Sequence, residues 1–240
     1  YEILRCLVGS EMCIRDSKNV IKEALDLRDR YGGTVDVIGF GPLSAEDVMK
    51  ETLTYGIDDA FLISDSQFAD MDVSQVAKIV AAVIKKLGPY DLVLCGRQAI
   101  DGDSAHMASM TSCALEIPLI AYSDEITEMK DGSVFATCMG DQMAYKVEAK
   151  TPAMILSIRE KNKNRFPSVP DIMKTYDGTY KTKILTNEDL NFSVTKRKVT
   201  QLRKYEVKSS KQQKLVMIGG KDEEEKAAQI LQLLKQKSVI

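Results

Sequence analysis

Apolar positions follow a helical and then a strand-like spacing in turn along the first half of the chain. In chain order, the segments are a helical stripe at residues 21–27, a strand at 35–40, a helix at 44–55, a strand at 60–63, a helix at 76–87 and a strand at 91–95. Strands that alternate with helices of this length predict right-handed strand–helix–strand units. We therefore expect an α/β fold with an open, mainly parallel twisted sheet and helices on both faces.

The ends of two predicted strands are candidate ligand sites, because ligands in open α/β sheets bind outside the carboxyl ends of the strands. The first is the end of the strand at 35–40, where Phe40, Gly41 and Pro42 follow one another. The second is the loop after Cys95, which begins at Gly96.

The pattern changes in the second half of the chain. Its predicted elements are a hairpin at 126–137 with an Asp-Gly turn, strands at 145–147 and 153–158, a polar and basic arm at 186–220 and a helix that begins at Asp222. Acidic residues at the start of this helix and lysines at its end suit the helix dipole. We predict a core domain over residues 17–185 and an arm with a helix over residues 186–240.

The first sixteen residues do not fit this alternation. Their letters, YEILRCLVGSEMCIRD, resemble a translated cloning adapter joined to the reading frame, which favours foreign sequence. The alternative is a divergent first strand, because Ile3, Leu4 and Leu7 are apolar. We set residues 1–16 aside from the fold prediction.

Composition excludes several classes of protein. Hydrophobic residues make up 44% and charged residues 28% of the 240 positions, which is ordinary for a globular chain. The net charge of -2 argues against a nucleic-acid-binding protein, which usually carries a basic surface. No apolar run approaches the length of about 20 residues that a membrane-spanning helix needs, so we expect no membrane insertion.

The cysteines and the single histidine limit the chemistry further. The 5 cysteines are widely spaced and form no CxxC pair, so we predict neither a disulfide framework nor a metal site. This cysteine usage indicates a reducing compartment, and we expect a cytoplasmic location in a bacterium. With only His106 available, a Ser-His-Asp triad is not supported, and we predict no catalytic side chain.

The stretch that carries the chemistry lies between the strand at 91–95 and a helical run at 108–115. It comprises Gly96, Arg97, Gln98, Ala99, Ile100, Asp101, Gly102, Asp103, Ser104, Ala105, His106 and Met107. The two glycines let the backbone approach a ligand closely, and a helix N-terminus attracts phosphate. We expect the two aspartates to cap the helix or to bond a ribose hydroxyl. From the residues alone, an ordinary polar turn with an Asp cap remains an equal reading.

This stretch resembles the nucleotide-binding loop of electron-transfer flavoprotein beta subunits, which is of the type GRQAIDGDTAQV. The turn at Phe40, Gly41 and Pro42 resembles the Gly-Pro turn that lies beside the adenosine in that family. Residues 165–174 resemble its segment (P)RYPSLPxIMKA. The resemblance extends over residues 17–240.

The resemblance implies the function of a heterodimeric electron carrier. It implies an adenine nucleotide alpha hydrolase-like core, an electron-transfer flavoprotein alpha subunit as partner and a C-terminal arm that contacts this subunit. It further implies an adenine nucleotide bound by residues 40–42 and 96–107, which is AMP in simple members and FAD in electron-bifurcating members that also take hydride from NADH. The letters DGDSA favour FAD. The alternative is a non-redox regulatory module that binds an adenosine nucleotide.

A second implied site concerns partner dehydrogenases, of the acyl-CoA type or another flavin type. The resemblance places their docking at Val169, Pro170, Ile172, Met173 and Lys174, for which the alternative reading is a packed loop and one helical turn.

The sequence departs from the family in two places. His106, Ser104 and Met107 replace the usual Gln, Thr and Val or Thr, and we expect His106 to bond a ligand rather than to catalyse. The family's first strand and the loop after it are absent, so we expect nucleotide binding to be weakened or lost.

Overall fold

The structure is a computed structural model that describes residues 2–8, 14–68, 71–97, 106–158, 165–193, 217–220 and 222–236, with the backbone alone for residues 2–8 and 14–18. The strands are β1 Glu2–Val8, β2 Thr34–Phe40, β3 Asp59–Ile63, β4 Leu92–Gly96, β5 Leu119–Lys130, β6 Ser133–Met139, β7 Ala144–Lys150, β8 Ala153–Ser157 and β9 Lys183–Leu185. The helices are α1 Ile14–Tyr31, α2 Glu46–Leu53, α3 Val73–Leu87, α4 Met107–Leu115, α5 Val169–Tyr176, α6 Asn187–Leu190 and α7 Glu223–Gln236.

The described strands form one sheet in the order β7-β6-β5-β8-β4-β1-β2-β3-β9. β1 joins a parallel group, β2-β3-β9, to a mixed group of five strands that ends at β7. Only the pairs β5–β6 and β6–β7 are antiparallel among these strands. The prediction of an open, mainly parallel α/β sheet is therefore confirmed.

β1 lies in the centre of the sheet, although its residues were set aside in the sequence analysis. It pairs in parallel with β2 from Glu2 opposite Thr34 to Val8 opposite Phe40. It also pairs with β4, where Cys6 lies opposite Cys95. The expectation that a first strand is absent was wrong, because residues 2–8 pair with both β2 and β4. Its origin as foreign or native sequence remains a prediction.

The two faces of the sheet bury alternate residues of each strand against different helices. On β4, Leu92 and Leu94 pack in the cluster of α1 and α2, whereas Val93 and Cys95 pack in the cluster of α3 and α4. Such alternation follows from the two-residue period of a strand. It explains why the strands read as continuous apolar runs, since both of their faces are covered by helices.

The antiparallel end of the sheet is the predicted hairpin. Its turn consists of Asp131 with φ 51° and Gly132 with φ 73°. Positive φ at both central residues is the geometry that an Asp-Gly pair favours in a two-residue hairpin. β8 then returns to pair with both β4 and β5, so the hairpin extends the sheet beyond β5.

The C-terminal part differs from the predicted arm. β9 adds a parallel edge strand to β3, and α6 follows it with a capping box formed by Thr186 and Asp189. The chain divides into two compact units, residues 1–200 and 201–240, whereas the predicted boundary lies at residues 185 and 186. α7 belongs to the second unit. Within the described ranges, no helix is both long enough and apolar enough to cross a membrane.

Asp36 on β2 gives a testable link between the fold and pH. Its Oδ2 accepts a hydrogen bond from the Tyr90 hydroxyl at 2.8 Å. Burial raises the pKa of the Asp36 carboxyl despite this bond, and the charges of Asp59 and Asp58 raise it further. Because the folded-state pKa lies above the unfolded-state value, Asp36 contributes stability at low pH that is lost as the pH rises through the folded-state pKa.

We expect Asp36→Asn to raise Tm at about pH 8 by about 2 °C, because the amide accepts the Tyr90 hydroxyl without burying a charge. The gain in Tm should vanish at about pH 3, where the wild-type Asp36 carboxyl is protonated in both the folded and the unfolded state. Thermal unfolding followed by circular dichroism measures both values. Tyr90→Phe, which removes the donor, should lower Tm at the higher pH. An equal gain from Asp36→Asn at both pH values would contradict the assignment.

Candidate functional site

The carboxyl ends of β4, β1, β2 and β3 meet along one edge of the sheet. Val8 lies opposite Phe40, and Phe40 lies opposite Ile63. Since neighbouring strands lie about 4.8 Å apart, the ends of β4 and β2 are separated by about 10 Å across β1. The strand order reverses between β1 and β4, which is where open α/β sheets bind their ligands. The fold therefore brings the two loops predicted from the sequence, after Phe40 and after Cys95, to the same edge.

A cavity of about 750 Å³ lies beyond the ends of β2 and β3. It is lined by Phe40, Gly41, Pro42, Leu43, Ile63, Ser64, Asp65, Ser66, Phe68, Met71, Ile184 and Thr186. Its volume is within the usual range for a small-molecule site. The predicted site residues Phe40, Gly41 and Pro42 thus form one wall of a real cavity.

One side of the cavity is aromatic and aliphatic. The ring centroids of Phe40 and Phe68 lie 6.1 Å apart with 30° between their planes. Phe68 and Ile63 are buried, so this wall is fixed by the core behind it. Aromatic and aliphatic walls of this kind suit a flat ring.

The other side of the cavity offers oxygen atoms. The lining residues Ser64, Ser66 and Thr186 carry hydroxyls, and the lining residue Asp65 carries a carboxylate. Among the described lining residues, none is a lysine, an arginine or a histidine. An acidic lining repels phosphate and favours a neutral ring or sugar that donates hydrogen bonds.

Asp65 is held by two backbone amides. Its Oδ1 accepts from the Gln67 amide at 2.8 Å, and its Oδ2 accepts from the Asn187 amide at 2.9 Å. These two bonds hold the pKa of the Asp65 carboxyl below its usual range, the bond from Gln67 having the larger effect. The side chain therefore stays ionised at neutral pH.

At the end of β4, the structure describes four of the twelve predicted loop residues. Gly96 is half-buried and lies opposite Ser157 of β8, and the Arg97 side chain is exposed. His106 is exposed, and Met107 is half-buried beside the cluster of α3 and α4. The residues Gln98, Ala99, Ile100, Asp101, Gly102, Asp103, Ser104 and Ala105 lie outside the described residues.

The N-terminus of α4 corrects one expectation. The N-cap position is taken by His106 rather than by Asp101 or Asp103, and the His106 side chain makes no capping hydrogen bond. The first turn of α4 contains no acidic residue. This helix end keeps its partial positive charge, since no carboxylate of its own first turn neutralises it.

The predicted docking segment forms an exposed apolar surface. Val169 is 68% exposed and Met173 is 64% exposed, and Ile172 lies beside them on α5. Phe166 at 77% and Tyr176 at 74% extend this surface, although neither was predicted. Pro170 and Lys174 are also exposed. We name Phe166, Val169, Ile172, Met173 and Tyr176 the α5 surface.

The α5 surface rests on two anchors. Ser168 caps α5, because its Oγ accepts from the Asp171 amide at 3.1 Å. The Arg165 guanidinium bonds Asp29 of α1 at 2.6 Å. Large apolar side chains held in the open by a capped helix and an ion pair are typical of a binding surface.

Comparisons with known proteins agree with this geometry. The family model described as Electron transfer flavoprotein domain matches residues 12–184. The electron transfer flavoprotein subunit beta of Clostridium acetobutylicum is 35% identical over 230 residues, which cover 94% of this chain and 86% of the relative. The chain belongs to the electron transfer flavoprotein family. Its resemblance to the beta subunits, inferred from the loop after Cys95, is confirmed.

Other relatives share the central part of the chain. The subunit beta of Thermoanaerobacterium thermosaccharolyticum is 38% identical over 176 residues, or 73% of this chain and 66% of the relative. The Caffeyl-CoA reductase-Etf complex subunit CarD of Acetobacterium woodii is 35% identical over 180 residues, or 74% of this chain and 67% of the relative. The relatives therefore include proteins named as electron transfer flavoprotein subunit beta and a protein named as a subunit of a reductase-Etf complex.

Nine of the twelve residues that line the cavity were not predicted from the sequence. Ser64, Asp65 and Ser66 follow the apolar strand at 60–63, and the rule that selected Phe40 and Gly96 applies equally to them. No such pattern in the sequence marked Ile184 and Thr186 as lining residues of the cavity. β9 has only three residues, which is too short to show a strand period.

Removing the cap of α5 tests how the α5 surface is held. We expect Ser168→Ala to destabilise this helix by about 1 kcal/mol, because the Asp171 amide loses its acceptor. Hydrogen–deuterium exchange should then accelerate about fivefold in peptides that cover Val169–Tyr176. Ser168→Thr keeps a capping hydroxyl and should exchange like the wild type. Unchanged exchange in Ser168→Ala would show that packing alone holds the helix.

Proposed function

We propose that the chain is the nucleotide-binding subunit of a heterodimeric electron carrier. One observation carries this proposal: the cavity beside Phe40, Gly41 and Pro42 opens at the same sheet edge where residues 96–107 begin. An adenine nucleotide has a flat ring and a phosphate, and this edge offers a different surface for each of them.

The residues present fit such a nucleotide. The ring and its sugar suit the cavity, which has aromatic walls and hydrogen-bond acceptors but no cation among its described lining residues. The phosphates suit the start of α4, where Gly96 ends β4 and the helix N-terminus carries a partial positive charge. Gln98, Ala99, Ile100, Asp101, Gly102, Asp103, Ser104 and Ala105 complete the proposed loop.

We infer that the bound nucleotide is FAD, with AMP as the alternative. The letters DGDSA of the loop favour FAD, and the reductase-complex relative is consistent with a bifurcating carrier that takes electrons from NADH. A bound flavin supplies the electron transfer, so the chain itself needs no catalytic side chain. Its own residues bind the nucleotide, orient it and exclude water from it.

The α5 surface is proposed as the docking site for a flavin dehydrogenase, of the acyl-CoA type or another. Its residues combine an exposed apolar cluster with Lys174, whose Nζ lies 5.5 Å from the centre of the Tyr180 ring. An apolar centre with a charged rim is common in transient interfaces.

The alpha subunit is the proposed partner of the C-terminal arm. α7 buries none of its residues, and Ile230 and Leu231 are 44% and 48% exposed. Such an apolar stripe on a helix with an acidic first turn and a basic last turn is typical of an amphipathic helix that packs on a partner.

Nucleotide content tests the proposed function directly. We expect the purified heterodimer with its alpha subunit to release two FAD molecules on denaturation, one from each subunit, when the extract is quantified by chromatography. Release of AMP with one FAD would identify the protein as a simple electron carrier and would contradict the prediction that it takes electrons from NADH. One FAD and no further nucleotide would overturn the proposed site, and a nucleotide without any flavin would favour the regulatory module.

A matched pair of serines locates the nucleotide within the chain. Ser66 and Ser44 both lie in short 3₁₀ turns and are exposed, but only Ser66 lines the cavity. Ser66→Phe should therefore lower the nucleotide content of the beta subunit, because the new ring fills the cavity. Ser44→Phe should leave the content unchanged.

Docking is tested at Met173. We expect Met173→Asp to slow reduction of the heterodimer by its acyl-CoA dehydrogenase at least about tenfold, because a buried charge replaces an apolar anchor. Reduction by dithionite and assembly with the alpha subunit should stay normal. Met143→Asp is a control, since Met143 is 59% exposed but lies in the turn between β6 and β7. Equal slowing by both variants would contradict docking on α5.

A further inference from the structure

The outer wall of the cavity is formed by a segment distant in the chain from the rest of the site. We name residues 183–190, which comprise β9 and α6, the strap. The strap pairs with β3 from Lys183 opposite Phe61 to Leu185 opposite Ile63, and the Ser64 amide donates to the Leu185 carbonyl at 3.0 Å. It supplies Ile184 and Thr186 to the cavity. The size of the cavity therefore depends on where the strap lies.

Asp65 connects the strap to the loop that follows β3. Its Oδ1 bonds the amide two residues ahead, at Gln67, which shapes the loop that follows β3. Its Oδ2 bonds the Asn187 amide, which is 122 residues away and is the first residue of α6. One carboxylate thus fixes both the loop and the start of the strap helix.

The side chain of Asn187 adds a second tie at the same point. Its Nδ2 donates to Gln67 Oε1 at 3.1 Å, and its Oδ1 accepts from the Phe192 amide at 3.2 Å. Lys86 Nζ donates to the Asp189 carbonyl, and Lys183 Nζ lies 2.7 Å from Asp59 Oδ1. Because β9 has three residues on the sheet edge, these side-chain ties carry a large share of its attachment.

We propose that Asp65 is a positioning residue for the bound nucleotide, which it retains by holding the strap against the cavity. This inference rests on the proposed function, since it requires a nucleotide in the cavity. The carboxylate acts through the backbone of Asn187, and the wall residues Ile184 and Thr186 meet the ligand. Loosening the strap should speed ligand release more than it lowers global stability, because the strap lies at the edge of the sheet.

Two substitutions remove the same hydrogen bond from opposite ends. Asp65→Ala removes both acceptor oxygens, so the Asn187 amide loses its partner. Asn187→Pro removes the donor at the first helical position, where proline is well tolerated. Thr186 before it already has an extended backbone with φ -106° and ψ 174°, as a residue before proline requires. Either variant tests the proposal if the other fails to fold.

Matched controls separate this bond from its surroundings. Asn187→Ala removes the side-chain ties but keeps the amide, so its comparison with Asn187→Pro isolates the bond to Asp65. Asp177 resembles Asp65 in accepting from an amide two residues ahead, at Thr179, with a distance of 2.8 Å. Asp177 does not line the cavity, so Asp177→Ala reports the cost of losing such a local turn alone.

The measurement is the release rate of the nucleotide from the assembled heterodimer. FAD and AMP are each loaded as probes, and release is followed by rapid filtration, with Tm recorded for every variant. We expect Asp65→Ala and Asn187→Pro each to release the probe about fivefold faster, which is the effect of losing the hydrogen bond between these two residues. The double variant should release it no faster than the faster single variant, because both changes break this bond. Asp177→Ala should match the wild type in release rate.

Three results would overturn the proposal. Release from Asp65→Ala at the wild-type rate would show that the strap does not retain the nucleotide, and the proposed function would stand. Additive effects of Asp65→Ala and Asn187→Pro would show that they act through different contacts. A wild-type heterodimer that holds neither FAD nor AMP in this subunit would remove the proposed function together with the inference.

Discussion

Parallel pairing of the central strands is the constraint on which the rest of the structure depends. When β4, β1, β2 and β3 run in the same direction, all of their carboxyl ends lie at one edge, and the loops that follow them are brought together. β1 is decisive because it links the two halves of the sheet through backbone hydrogen bonds. Without a strand in this place, the cavity at β2 and the start of α4 would belong to separate groups of strands.

This edge of the sheet presents two kinds of surface. The cavity presents aromatic carbon and oxygen acceptors, and the start of α4 presents backbone N–H groups with a partial positive charge. A nucleotide needs both, since its ring and its phosphate differ in polarity and charge. The α5 surface lies on a separate helix and is held by its own anchors, Ser168 and Arg165. The proposed nucleotide site and the proposed docking site can therefore be changed by separate substitutions.

Much of the fold could be predicted because strand burial leaves a strong mark on the sequence. The runs at 60–63 and 91–95 are apolar since helices cover both faces of the sheet, and the Asp-Gly turn follows from positive φ at both positions. Site residues were predicted only where a polar loop follows such a run. Asp65 was missed although it lies in the loop after the run at 60–63, as Gly96 follows the run at 91–95, and Phe166 was missed because an exposed aromatic residue reads like a core residue.

The sequence by itself determined the class of fold, the family through its loop at 96–107 and the residues Val169, Ile172 and Met173 of the α5 surface. These properties depend on local spacing and on residue types, which a chain displays without being folded. Only the tertiary structure decided that residues 2–8 form the central strand and that β9 closes the cavity. Both are pairings between segments far apart in the chain, and backbone hydrogen bonds, which are alike for all residue types, carry almost no signature in the sequence.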